Sequence, residues 1–74
     1  MSSLRMTPGH LSPLSPRQKD VLMLLSIGRP MKSAATTLGI DYSTTKTHAM
    51  CARLKLGATT NEHAVAIAVR NRWI

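Results

Sequence analysis

The chain contains four short segments in which apolar residues recur with helical spacing. The first block opens at Ser15-Pro16, where serine suits an N-cap and proline is tolerated at the first helical position. Gln18 follows Ser15 at the spacing of a capping box. The helix predicted from this start ends near Gly28, and Pro30 prevents its continuation. Its apolar face comprises Val21, Leu22, Leu24 and Leu25.

Two further helices are predicted on either side of a glycine turn. A short helix over 31–38 ends at Gly39, and a longer one over 42–56 ends at Gly57. Asp41 is the predicted N-cap of the longer helix, with its carboxylate accepting from free N–H groups of the first turn. The residues expected to face inward on these two helices are Ala34, Ala35, Leu38, Thr45, either His48 or Ala49, Ala52 and Leu56.

A fourth helix is predicted over 61–70, capped by Thr60. Its residues are apolar nearly all round, which is unusual for a surface helix in a tiny monomer. One apolar face can pack on the core, and a second indicates a dimer contact or a docked partner. Trp73 and Ile74 are expected to pack against the core. The predicted dimer interface comprises Ala64, Ile67, Ala68 and Val69.

The chain thus divides into an N-terminal segment and one helical domain. Residues 1–13 lack apolar periodicity, which favours a flexible arm, although Leu4, Met6 and Leu11 could instead form an ordered cap over the core. Residues 14–74 carry all four predicted helices, and no pattern of strand spacing competes with them. The expected fold class is all-α, with four short helices.

Charge narrows the choice of partners. Ten Lys and Arg against three acidic residues give a net charge of +7, which predicts a polyanionic partner: nucleic acid, an anionic membrane surface or an acidic protein. The basic residues form no run, so the fold must display them. No stretch approaches the roughly 20 apolar residues of a membrane span, and the N-terminus lacks the apolar core of a signal peptide. We expect a cytoplasmic, nucleoid-associated protein without membrane contact.

Catalytic and metal chemistry find little support in this composition. The acids are not clustered, the histidines have no metal-ligand spacing, and a single cysteine excludes an intramolecular disulfide. The expectation is therefore a protein that is not an enzyme and needs no cofactor or metal. The acids are Asp20, Asp41 and Glu62, the histidines are His10, His48 and His63, and the cysteine is Cys51.

The most informative segment is 33–56, which combines a short helix, a tight glycine turn and a capped longer helix. This order is typical of a helix-turn-helix, whose second helix lies in the major groove of DNA. Hydrogen-bonding groups suited to base edges stand at the start of the longer helix, and basic residues on other elements could bind phosphates. The hydrogen-bonding residues are Ser43, Thr44, Lys46 and Thr47.

A set of residues between Leu14 and Val65 keeps the spacing of a known family without insertion or deletion. These residues are Leu14-Ser-Pro-Arg17, Val21-Leu22, Leu24-Leu25, Gly28, Lys32, Ala35, Leu38, Ile40, Thr44, Lys46-Thr-His48, Lys55-Leu-Gly57 and Ala64-Val65. On these residues the chain resembles LuxR-type (GerE-type) helix-turn-helix domains from residue 14 to residue 74. The resemblance implies a four-helix domain whose third helix contacts DNA and whose fourth helix often pairs two domains.

The resemblance also implies roles for individual residues. Lys46 would contact bases and a nearby phosphate, while Thr47 and Met50 would face the bases, and His48 would help to hold the helix in place. Arg53 faces outward by helical spacing and is a candidate phosphate contact. The implied contacts to the DNA backbone are Lys32, Thr44 and Lys55. The full candidate DNA-binding set is Lys32, Ser43, Thr44, Lys46, Thr47, Met50, Arg53 and Lys55.

Two functions of different classes follow from these observations. The first is a transcriptional regulator without a sensor domain, which binds double-stranded DNA sequence-specifically as a homodimer. The alternative is a protein-interaction module that pairs through its fourth helix with a full-length regulator or with RNA polymerase and modulates it. The basic surface favours the first.

Overall fold

The computed structural model describes residues 12–74, which form four α-helices. This confirms the predicted all-α fold, and within the described residues no segment is a strand. The predicted arm and its alternative, an ordered cap, fall almost entirely on residues 1–11, which lie outside the described part of the chain. The helices are α1 (Pro16–Ser26), α2 (Met31–Leu38), α3 (Tyr42–Leu56) and α4 (Asn61–Arg70).

Helix α1 begins with the predicted capping box. The Ser15 hydroxyl accepts from the Gln18 backbone N–H at 3.2 Å, and the Gln18 side-chain oxygen accepts from the Ser15 N–H at 3.0 Å. These bonds satisfy two donors that would otherwise lack partners at the helix start. They also explain why Gln18, a polar residue, is only 8% exposed. Beyond the cap, Val21 and Leu22 are fully buried, so α1 supplies the larger side chains of the core.

Small side chains bring α2 and α3 together. Ala34 and Ala35 on α2 are buried, as is Ala49 on α3, so the two backbones can approach closely. Gly39 connects the helices in the left-handed region at φ 68°, where a residue with a Cβ is strained. The turn between α2 and α3 therefore takes the form that the helix-turn-helix pattern predicted.

The predicted cap of α3 is wrong in one detail. Asp41 is the N-cap residue and has extended backbone angles, but its side chain makes no capping hydrogen bond. Its carbonyl oxygen instead accepts from both the backbone N–H and the hydroxyl of Thr45, each at 2.9 Å. Because Asp41 is exposed, water can solvate its carboxylate without help from the helix. The second of these bonds gives the hydroxyl of Thr45, a residue with no exposed surface, a hydrogen-bond partner.

A single apolar cluster joins α1, α3 and α4. Trp73 and Ile74 pack against it, as predicted, and are partly buried. The choice left open at one inward position of α3 is settled by burial, since Ala49 is fully buried and His48 only half-buried. The fully or nearly buried members of the cluster are Leu14, Leu22, Ala52, Ala64 and Ala68.

The structure corrects the predicted dimer interface on α4. Ala64 and Ala68 have no exposed surface because this i,i+4 pair faces the core, so neither side chain can contact a second subunit. Val69 is 52% exposed and Ile67 is half-buried. Only these last two of the four predicted residues remain available for a partner.

Candidate nucleic-acid interface

One side of α3 is exposed along its whole length. The helix has 15 residues and is therefore about 22 Å long, a rod of the kind that B-DNA accepts in its major groove. Most of the candidate DNA-binding residues lie on this exposed side, which we call the α3 outer face. Its members are Ser43, Thr44, Lys46, Thr47, Met50, Leu54 and Lys55.

Packing on the opposite side fixes which residues α3 presents. Thr45, Ala49 and Ala52 are fully buried and recur at intervals of four and three residues, so they form one stripe. Helix α3 packs against α1, α2 and α4, and Ala52 of this stripe belongs to the cluster shared with α1 and α4. A rotation of α3 about its axis would expose the stripe, and the core thereby sets the direction of Lys46 and Thr47.

Two lysines converge on an aromatic ring at the start of α3. The Lys46 ammonium nitrogen lies 4.5 Å from the centroid of the Tyr42 ring. The ammonium nitrogen of Lys32, which belongs to α2, lies 5.7 Å from the same centroid. Both distances fall in the range of cation–π attraction. The structure thus brings two of the predicted DNA-binding residues together, although they are distant in sequence.

Tyr42 was missed by the reasoning from sequence. One signal could have found it, because Tyr42 and Lys46 stand four residues apart and such pairs are neighbours on a helix. The contact between Lys32 and Tyr42 gave no such signal, since it depends on how the glycine turn folds α2 against α3.

The positive charges of this surface have no acidic partners. Within residues 12–74, one ion pair is present, between Arg17 and Asp20 on α1 at 3.2 Å. Lys32, Lys46 and Lys55 are exposed, so their charges remain accessible from the solvent. Such a surface attracts a polyanion and releases the polyanion's counterions on binding.

The side chain of Arg53 is more buried than its predicted outward position on α3 indicated. It is half-buried, and its guanidinium donates a hydrogen bond to the side-chain oxygen of Asn61 at the start of α4. This bond ties α3 to α4 and uses one of the five N–H groups of the guanidinium. Arg53 is therefore less exposed than the predicted outward position implies, because α4 lies close enough to hold it, and its contact with a phosphate stays a prediction.

The hydroxyl of Thr47 is also partly engaged. It donates to the carbonyl oxygen of Ser43, one turn earlier in α3, at 3.1 Å. A hydroxyl that donates its hydrogen keeps lone pairs that can accept one, for example from the amino group of cytosine or adenine. Its methyl group and the exposed Met50 side chain add apolar surface of the kind that contacts a thymine methyl.

A separate groove of about 450 Å³ lies between α1, α2 and α4, away from the α3 outer face. The groove is lined by Leu25, Ser26, Gly28, Arg29, Pro30, Met31, Asn61, Glu62 and Val65.

Among residues 12–74, no three His, Cys, Asp or Glu side chains are grouped as metal ligands would be. None of the helices in this range is long and apolar enough to cross a membrane.

Comparison with known proteins agrees with this architecture. The GerE family model, which describes bacterial regulatory proteins of the LuxR family, matches residues 12–68. The match begins before α1, includes α2 and α3, and extends into α4. No solved structure matches the chain at a significant level.

Three curated proteins are similar to the chain. The transcriptional regulatory protein MctR of Rhizobium johnstonii is 42% identical over 57 residues, which cover 77% of this chain and 27% of MctR. The transcriptional activator protein BjaR1 of Bradyrhizobium diazoefficiens is 35% identical over 71 residues, covering 96% and 29%. The transcriptional activator protein CarR of Pectobacterium carotovorum is 39% identical over 56 residues, covering 76% and 23%.

The chain therefore spans less than a third of the length of each relative. The family model, in contrast, covers most of the chain and includes the complete helix-turn-helix. Fold, motif and relatives agree: the chain belongs to the LuxR family of bacterial regulatory proteins.

Proposed function

We propose that the chain is a transcriptional regulator that binds double-stranded DNA sequence-specifically, with α3 in the major groove. The observation that carries this proposal is the α3 outer face, which combines unpaired lysine charge with exposed hydroxyl groups. Membership of a family of regulatory proteins supports it. On this proposal the protein acts in the cytoplasm, on the nucleoid.

In the proposed mechanism, phosphate contacts supply most of the affinity for DNA and base contacts supply the specificity. Lysines that neutralise phosphates release counterions, which gives sequence-independent affinity and a strong dependence on salt. Lys46 contacts base edges and a nearby phosphate, while Thr47 and Met50 face the bases at the centre of the contact. Arg53 can add a phosphate contact through the guanidinium N–H groups that Asn61 does not use. The proposed contacts to the DNA backbone are Lys32, Thr44 and Lys55, and Ser43 offers a further hydrogen-bonding group to the groove.

The experiment that tests this proposal is selection from random duplex DNA at two salt concentrations, followed by sequencing of the bound pool. We expect enrichment of a two-fold symmetric motif and an affinity that falls steeply with salt. Unselective binding would contradict the proposal. It would favour the second candidate, a module that binds a larger regulator or RNA polymerase. The exposure of Leu54 (74%), Ile27 (65%) and Val69 (52%) is the observation that favours this candidate.

We further propose that two copies bind the DNA as a homodimer through α4. Val69 provides exposed apolar surface on one side of α4, and the half-buried Ile67 lies on the other side, since helix positions two residues apart do not share a face. A symmetric pair would place two copies of α3 on half-sites one helical turn apart, about 34–36 Å along the DNA.

Val69→Asp is expected to abolish this dimer. An aspartate at the centre of an apolar contact would be buried without a partner, which strongly disfavours association. Sedimentation velocity, with and without the selected duplex, should show the wild-type dimer and a monomeric variant. Met23→Asp is the matched control, because Met23 is 45% exposed and lies on α1. Equal masses for the wild type and Val69→Asp would contradict the α4 interface.

A further inference from the structure

Side chains from both helices of the helix-turn-helix approach the Tyr42 ring. Tyr42 is the first residue of α3, and the cation that approaches its ring from α2 is Lys32. The cation that approaches it from within α3 is Lys46. The ring itself is 42% exposed, so it lies at the surface among these charges. Tyr42 is not among the buried core residues or the residues that pack against the apolar cluster.

We propose that Tyr42 is a positioning residue for DNA binding, which holds the Lys32 and Lys46 ammonium groups in place before the DNA arrives. The inference rests on the proposed function and extends it to a residue that contacts the lysines directly. In this arrangement the ring attracts both cations through its negative face. Each ammonium group keeps N–H donors directed away from the ring, and these can donate to a phosphate or a base.

The physical reason is the flexibility of lysine. A free lysine side chain samples many rotamers, and binding must restrict them at a cost in entropy. Because both ammonium nitrogens lie close to one centroid, they are no more than about 10 Å from each other. This separation is within roughly one Debye length, so salt screens the repulsion between the two charges only in part. The ring offsets this repulsion and restricts both side chains in the free protein. Less entropy is then lost when DNA binds.

A pair of substitutions separates the ring from the rest of the side chain. Tyr42→Phe keeps the ring and removes the hydroxyl, whereas Tyr42→Leu keeps an apolar side chain and removes the ring. We expect Tyr42→Phe to bind the selected duplex with a Kd within about twofold of the wild type. Tyr42→Leu should bind about three- to tenfold more weakly, which corresponds to the usual strength of one or two exposed cation–π contacts.

Repeating the substitution in a Lys46→Ala background tests whether the ring acts through lysine. With the closer cation absent, Tyr42→Leu should weaken binding by about twofold or less. A ring that only packs the start of α3 would instead give the same loss in both backgrounds. NMR of the DNA-free protein adds a direct readout. The Lys46 side-chain methylene protons should show ring-current shifts in the wild type and Tyr42→Phe, and lose them in Tyr42→Leu.

The outcomes distinguish this inference from the proposed function. A wild-type chain that selects no DNA sequence would overturn the proposed function. A wild type that selects its site while Tyr42→Leu binds as tightly would overturn the inference alone. An equal loss for Tyr42→Leu with and without Lys46 would overturn it too, because the ring would then act through the fold.

Discussion

Lys46→Ala is expected to weaken binding to the selected duplex by about 1–3 kcal/mol, or roughly 5- to 150-fold in Kd. Lys46 is exposed on the α3 outer face, to one side of the stripe formed by the fully buried Thr45, Ala49 and Ala52. Its ammonium group has no acidic partner within the described residues, so removing it breaks no internal ion pair. The loss should therefore appear mainly in DNA binding, because the exposed contact with the Tyr42 ring contributes only about 0.5–1 kcal/mol to folding. Fluorescence anisotropy titrations with the selected duplex and a scrambled duplex measure it.

The two duplexes separate base contact from phosphate contact. If Lys46 contacts a base, the variant loses more affinity for the selected duplex than for the scrambled one. Lys19→Ala is the matched control, since it removes the same charge from α1, where no DNA contact is proposed. It should weaken binding to both duplexes slightly and equally. A Lys46→Ala variant with unchanged preference for the selected duplex would remove Lys46 from base recognition.

The boundaries of the four helices could be predicted because local chemistry determines them. The capping box of Ser15 and Gln18 and the left-handed Gly39 act within a few residues, and so leave a pattern in the sequence. The outward direction of Lys46 followed in the same way, since Thr45, Ala52 and Leu56 were predicted to lie on the buried side.

What the sequence did not reveal depends on contacts between helices. Arg53 meets Asn61 only because α4 folds back on α3, and neither residue has a periodic signal for the other. On α4, apolar residues surround the helix, so the pattern could not tell the buried Ala64 and Ala68 from the exposed Val69. The misassigned dimer residues and the missed contact between Tyr42 and Lys32 share this cause.

Leu22→Ala is expected to lower the free energy of unfolding by about 3 kcal/mol, the common range for a buried leucine. Leu22 is the largest side chain of those that are fully buried, and six of the nine buried apolar residues described are alanines. Alanine side chains are too short to move into the cavity, so the space left by the leucine stays largely unfilled. A domain of this size has a free energy of unfolding of only about 3–9 kcal/mol, so the variant loses a large share of it.

Urea unfolding followed by circular dichroism and by the fluorescence of Trp73 measures this loss. Trp73 is the single tryptophan and packs against the same cluster as Leu22, so both probes should report one transition. Met23→Ala is the control from the neighbouring position of α1. Its side chain is 45% exposed, and the change should cost no more than about 0.5 kcal/mol. Equal midpoints for Leu22→Ala and Met23→Ala would contradict the packing of α1, because the helix would then have to present a different face to α3 and α4.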